Sequence, residues 1–372
     1  MKLSFWEQNT WFNNIDFAVI GSGIVGLSCA LSLRNKHPNS KIVVFERGFL
    51  PSGASTKNAG FACFGSISEI LDDLNNHTEE EVIQLVKNRV AGLKLLRETL
   101  GDKQLDYQEN GGYELFTKRD LELYNTCQQK LPYINKLLDS IFPSQVFKLK
   151  ENSFQFKNIQ PKLIFNHYEG QIDTGKMMLG LLKKATSENI IILNATEITA
   201  ISDVGNKVSL QVNNERDISA KKVCIATNGF AKRFLNVDLK PARAQVLITK
   251  PIKNLKLKGT FHLDKGYYYF RNINDRILFG GGRNLDFKGE ETTQMELTQL
   301  VQDKLEHLLK TVILPNHTFK IDQRWSGIMG LGEQKKPIVK AVSPNVFCGI
   351  RLGGMGVAIG SSVGKQLAQI TT

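Results

Sequence analysis

Cysteine is scarce in this chain and unpaired. Cys29, Cys63, Cys127, Cys224 and Cys348 make an odd count, and no two stand in a CxxC spacing. That reads as reduced thiols in a cytoplasmic protein, with neither a disulfide framework nor a zinc site expected. The six histidines form no HExxH and no ligand-spaced cluster, so no metal site is expected. No Ser-His-Asp set, internal repeat or low-complexity tract is visible. Met1–Thr10 lacks an apolar h-region, so no export signal is expected. Phe17–Leu33 carries no charge and approaches membrane-spanning length, but it holds three glycines and is bracketed by Asp16 and Arg34. It reads as a buried strand, turn and helix, and no membrane span is expected.

What is present is an ordinary globular composition. Apolar residues are 41% and charged residues 23% of 372, which excludes a disordered chain and suggests two domains with a full core. The formal charge of +12 suggests an acidic cofactor, substrate or partner. Glycines crowd at 21–26, 48–65, 280–282 and 349–360.

Phe17–Ile20 is a short apolar run, followed by Gly21-Ser-Gly-Ile-Val-Gly26, an apolar helical stretch to Leu33, and a second strand at Lys41–Phe45. This is a βαβ unit with a G-x-G-x-x-G turn. Gly21 allows the turn, Gly23 lets a pyrophosphate approach, and Gly26 lets the helix pack close to the strand. Ile24 and Val25 open the helix, whose free N–H groups face the anion. Glu46 ends the second strand, where a carboxylate can take ribose hydroxyls. Together these predict a dinucleotide site. Gly53–Gly60 is small, polar and rich in N–H donors, so backbone can pass close to a flat ring. Ala226-Thr-Asn-Gly229 follows a buried strand, and Gly349–Gly356 leads into a final helix whose N-terminus would favour negative charge. A reduced flavin carries such charge.

Elsewhere, Thr78–Glu81 is a capping box opening an amphipathic helix that Gly101 closes. Residues 118–141 read as helical with a break near Pro132. Thr293–Glu296 is a second capping box, for a helix carrying Leu297, Leu300, Val301, Leu305, Leu308 and Leu309. Ala244–Lys250, Gly266–Arg271 and Arg276–Gly280 read as antiparallel strands, with Asn274-Asp275 as a hairpin turn. Nucleotide-type elements at both ends and in the middle, with hairpins between, predict two domains interleaved in sequence.

The ordered motifs GSGIVG, FERG, GASTKNAG, IATNG and GIRLGGMGV resemble the FAD-dependent D-amino-acid-oxidase superfamily, on its glycine-oxidase and sarcosine-oxidase-like branch, from about residue 16 to 369. The resemblance implies an α/β chain, α+β overall: a Rossmann-like FAD-binding domain interleaved with a substrate domain built on an antiparallel sheet. The expected boundaries are 1–85, 150–238 and 318–372 for the FAD-binding domain, and 86–149 and 239–317 for the substrate domain. It also implies oxidation of a C–N bond of an amine or amino acid to an imine, with oxygen or another electron acceptor. The cofactor contacts it implies are Gly21, Gly23, Gly26, Glu46 and Arg47; the loop Ala54, Ser55, Thr56, Lys57, Asn58, Ala59 and Gly60; and Glu197 and Ile198 near the adenine. Thr227, Asn228, Gly229, Gly327, Arg351, Gly353, Gly354, Met355, Gly356 and Val357 complete the set. Ala54–Gly60 and Trp325–Lys335 hold no Cys or His where relatives tether flavin, so noncovalent FAD is expected; Cys63 and Cys348 read as buried thiols.

One departure concerns the substrate. Relatives place a carboxylate-gripping arginine after the family tryptophan, whereas here Trp325-Ser-Gly-Ile-Met-Gly330 puts Met329 in its place. A thioether cannot make the paired hydrogen bonds of a guanidinium, so Arg351 or Arg271 would have to supply the grip. Met355 stands where relatives often carry a polar residue. In Gly266–Arg271, strand alternation puts Tyr268 and Phe270 on one face and Tyr267 and Tyr269 on the other. Register against Arg276–Gly280 favours Tyr268 as the pocket residue; the other reading is an aromatic sheet core. His167, His262 and Lys265 are further polar pocket candidates. Two other functions stay open. Lys240, Arg243, Lys250, Lys253, Lys256 and Lys258, with no acid among them, could meet tRNA phosphates, as in oxidative trimming of a wobble-uridine carboxymethyl group. The chain could also bind flavin without catalysis.

Overall fold

The computed structural model describes residues 3–371. Its first sheet runs, in space, Ile338–Ser343, Val346–Ile350, Arg216–Ile225, Ile15–Ile20, Ile42–Phe45, Ile191–Leu193. The first pairing is antiparallel and the other four are parallel. The strands alternate sides, as a doubly covered sheet requires. Phe17 and Val19 face a core shared with the helices Ile24–Lys36, Thr174–Ser187 and Gly356–Thr371, while Ala18 and Ile20 face a core with Val208, Leu210 and Leu235. The first and last helices touch through small residues. A Cβ on Gly360 would lie 2.7 Å from Ile24 Cγ2, and one on Gly364 2.5 Å from the Val25 carbonyl. Among the described residues no helix is long and apolar enough to cross a membrane.

The second sheet has eight strands in the order Ile321–Leu331, Lys240–Thr249, Arg276–Gly281, Tyr268–Ile273, Thr260–Leu263, Gly112–Leu115, Lys162–Asn166, Phe147–Glu151. It is antiparallel except where Thr260–Leu263 meets Gly112–Leu115. The hairpin turn at Asn274-Asp275 is present, with Ile273 paired to Arg276 and Asn274 at φ 50°. Sheet membership crosses the boundaries expected at 150 and 318. Phe147–Glu151, Lys162–Asn166 and the whole of Ile321–Leu331 pair into this sheet. Helix Glu79–Leu100 leans back on the last helix, where a Cβ on Gly92 would overlap the Ala358 carbonyl.

Two local expectations are corrected. The helix Leu121–Leu137 runs through Pro132. The proline is exposed, so the missing N–H falls on the solvent side, and Asn135 ties the next turn to both backbone groups of Phe147 at 2.9 Å. The box at Thr293–Glu296 does not form. The helix starts at Gln299, and Leu297 and Leu300 lie exposed. Thr298 Oγ1 is held instead by Gln245 and Glu290.

Candidate cofactor and substrate cleft

A cleft of about 530 Å³ opens between the two sheets. One end is built on the first βαβ unit. Gly21 has φ +101°, and a Cβ on Gly26 would overlap the Gly21 carbonyl, so the turn closes tightly over the helix. Gly23 caps that helix without a side chain, and the Ile24 N–H donates to Ser55 Oγ at 3.0 Å. Glu46 is buried; it accepts from the Ser22 N–H at 3.2 Å and hydroxyl at 2.7 Å, and from the Gly48 N–H at 3.0 Å. Beside it the Arg47 guanidinium lies 3.9 Å over the Phe230 ring, and Arg233 pairs with Glu197 at 2.5 Å.

The middle is held by asparagines. Asn58 Oδ1 accepts from the Gly60 N–H at 2.8 Å and the Thr174 hydroxyl at 3.0 Å. Asn228 Oδ1 accepts from the Arg351 and Leu352 N–H groups at 3.1 and 3.2 Å, pinning the turn into the last helix. Trp325 Nε1 donates to the Lys57 carbonyl at 3.0 Å. Three observations fit a dinucleotide with a flat ring. Two long helices present their N-termini to the cleft. A Cβ on Gly53, Gly353 or Gly354 would meet nothing within 4 Å. The Thr227 hydroxyl, on the cleft wall, is buried with no hydrogen-bond partner among the described residues.

The other end lies on the second sheet. Phe61 stands edge-on to His262 at 5.2 Å and to Tyr269 at 5.7 Å. Tyr267, Arg283, Val246 and Met329 are also on the wall. His262 Nε2 lies 2.6 Å from the buried Glu169 carboxylate, which also accepts from the Thr260 hydroxyl at 2.7 Å. Burial alone would lower the imidazole pKa, but Glu169, Glu69 and Glu114 override it and raise it to about 9. Burial pushes Glu114 up to about 7 against the hydrogen bonds from Ser68. It pushes the Tyr269 phenol to about 12, so that this hydroxyl stays protonated.

Most of the cofactor residues expected from sequence meet in this cleft: Gly21, Gly23, Ile24, Val25, Glu46, Arg47, Ala54, Ser55, Lys57, Asn58, Ala59, Gly60, Glu197, Ile198, Thr227, Asn228, Gly327 and Gly353 through Val357. Met329, His262, Lys265 and Cys63 line it too. Gly26, Thr56 and Gly229 do not; they shape its backbone. The Thr56 hydroxyl donates to the Pro51 carbonyl at 2.7 Å, and a Cβ on Gly229 would lie 2.5 Å from the Met329 carbonyl.

Four side chains lie elsewhere than expected. Tyr268 points into the sheet core beside Phe279, and its neighbours Tyr267 and Tyr269 take the cleft face. The alternation is as read; the face is reversed, because the core formed with Val301 and Leu305 lies on the Tyr268 side. Arg351 cannot grip a substrate. Its guanidinium is bound to Asp238 at 2.7 Å and to the Lys336 carbonyl at 2.9 Å. Arg271 shares the tyrosines' face but lies behind Gly60, outside the cleft wall. His167 is exposed and away from it. Sequence reading missed Phe61, Glu69 and Arg283 on the wall. Arg283 follows Gly280–Gly282 directly, and that glycine run was the available signal.

Comparisons with known proteins agree with this geometry. A protein of Haemophilus influenzae described as "Probable oxidoreductase OrdL" is 19% identical over 97% of this chain and 83% of its own length. Glycine oxidase from Geobacillus kaustophilus superposes with a TM-score of 0.75 at 18% identity, covering 96% of this chain and 94% of that one. Iminodiacetate oxidase from Chelativorans sp. BNC1 gives 0.77 at 17%, covering 95% and 94%. At these identities the structures share the fold. The family model of FAD dependent oxidoreductases matches residues 16–370, so the chain belongs to that family and its cofactor is FAD.

Proposed function

We propose that this protein oxidises the C–N bond of a small amine or amino acid to an imine, with FAD held noncovalently. The observation that carries the reading is the continuity of the cleft. The glycine turn that starts the last helix forms one wall, and Phe61, Tyr269 and Met329 form the next, so a substrate chamber adjoins the cofactor cradle. When bound, FAD supplies the two-electron acceptor for a hydride from the carbon beside the amine, while the nitrogen lone pair closes the imine for hydrolysis.

The chain's own part is positioning and electrostatics. The N-terminus of Gly356–Thr371 faces the cleft and favours negative charge there. The aromatic edges of Phe61 and Tyr269 narrow the chamber and exclude water. Lys265 is paired with Asp72 at 3.2 Å and Lys335 with Asp73, so these cations are neutralised. Cys63 packs its sulfur 3.8 Å from Met355 Sδ, and burial raises its thiol pKa well above the ordinary range; a neutral buried thiol is a poor tether.

The test is a panel of amines and amino acids under air with peroxide as readout, repeated anaerobically by flavin absorbance. Bleaching by at least one amine is expected. FAD-loaded protein that no member of the panel bleaches would instead be a flavin carrier.

A further inference from the structure

Arg283 is the unusual cation of the substrate end. It lines the cleft, half-buried, at the first residue after the Arg276–Gly281 strand and its Gly282 turn. Its guanidinium makes no hydrogen bond or ion pair among the described residues. It lies over a pair of rings, 4.8 Å from the Phe287 centroid and 5.6 Å from that of Tyr267, and these rings meet edge to face at 5.8 Å. Glu290 is near enough to be felt, but its carboxylate is spent. It takes Arg243 through two bonds of 2.7 and 3.0 Å, and also accepts from Gln245 and Thr298. Burial lowers the Arg283 pKa from the ordinary guanidinium value.

The other cations at this end, Lys265 and Lys335, are paired with Asp72 and Asp73. Of the cations on the cleft wall at this end, Arg283 is the one that keeps an unspent fork of donors, on an aromatic shelf; Arg271, also without a hydrogen-bond partner among the described residues, lies behind Gly60 and off the wall. A guanidinium so placed matches a planar anion through two parallel hydrogen bonds.

We infer that Arg283 is the anion-recognising residue of the substrate pocket, so that the amine oxidised here also carries a carboxylate. This rests on the oxidase reading above and narrows it to amino acids and N-substituted amino acids. It also relocates the grip. The anion is held from the segment after the hairpin, beyond Tyr267, and not from the Trp325–Gly330 strand, where Met329 stands. Phe287 closes the outer side as a half-exposed rim.

The experiment titrates FAD-loaded protein with acetate, butyrate and benzoate, and with the matching neutral amides, following the flavin visible spectrum. Wild type is expected to bind the carboxylates and not the amides. R283Q should weaken carboxylate binding roughly 10- to 100-fold, the worth of a lost charge-assisted pair, with FAD content unchanged. R283K should restore part of it. In turnover, R283Q should raise KM for amino acids by a larger factor than that for simple amines. Equal carboxylate affinity in R283Q and wild type, or no binding by wild type, overturns the proposal. Bleaching of wild type by simple amines keeps the oxidase reading standing in either case. Carboxylate binding through Arg283 with no turnover of any amine or amino acid in the panel would sink the oxidase reading and leave the anion site.

Discussion

At the scale of single residues, two buried groups at the substrate end, His262 and Glu114, tie stability to pH. His262 holds its proton to about 9 in the fold against 6.5 when unfolded. The stability this adds is complete below about 6.5 and is lost as the pH climbs through about 9. Glu114 acts in the same sense, from 4.5 to about 7, so its share is complete below 4.5 and fades through 7. Each proton is worth on the order of 3 kcal/mol at most. Melting temperature should therefore fall between about pH 4.5 and pH 9, and H262Q should flatten the upper half of that curve in calorimetric scans. A wild-type curve level across this range would refute the assignment. Residue identities of this kind were poorly legible in the sequence. Tyr267, Tyr268 and Tyr269 alternate visibly, but which face meets the cleft depends on Val301 and Leu305, packed from a helix about thirty residues further on. Arg351 sits in a glycine-rich cofactor motif, and only the fold reveals Asp238 waiting for it.

At the scale of elements, local chemistry was legible wherever it was self-contained. The Thr78–Glu81 box caps its helix as read, and the Asn274-Asp275 turn joins the strands as read. The Thr293 box failed because Thr298, Gln245 and Glu290 draw the segment into a buried polar network that outweighs one capping turn. The glycine turn of the first βαβ unit makes the firmest prediction at this scale. Gly26→Ala would drive a methyl into the Gly21 carbonyl, which is backbone and cannot rotate away. We expect about 1–3 kcal/mol of lost stability together with weaker FAD retention, read by thermal melts with and without added FAD. A G26A protein that melts with wild type and keeps its flavin would show that the helix can slide outward at no cost.

At the scale of the whole molecule, the run of six basic residues dissolves as a single patch. Arg243 is buried against Glu290. Lys240 begins a strand of ten residues and Lys250 follows its end, so about 30 Å separates them. Lys250, Lys253, Lys256 and Lys258 remain as exposed neighbours in sequence. Binding to tRNA should thus be weak, with a log–log salt slope no steeper than about −4. A filter-binding series across salt concentrations checks this, and a slope near −6 with tight binding would revive the RNA reading. The interleaving itself was legible, because βαβ-like stretches bracket the hairpins. Its seams were not, because Phe147–Glu151 and Ile321–Leu331 look like any strand until their partners are known.

The central strand Ile15–Ile20 pairs on one side with Ile42–Phe45 and on the other with Lys222–Ile225, roughly 200 residues later. On a ribosome adding about 5–20 residues per second, that second edge stands bare for some ten to forty seconds. Nascent chains of this protein should therefore need shelter from chaperones during synthesis, well before any flavin can be taken up.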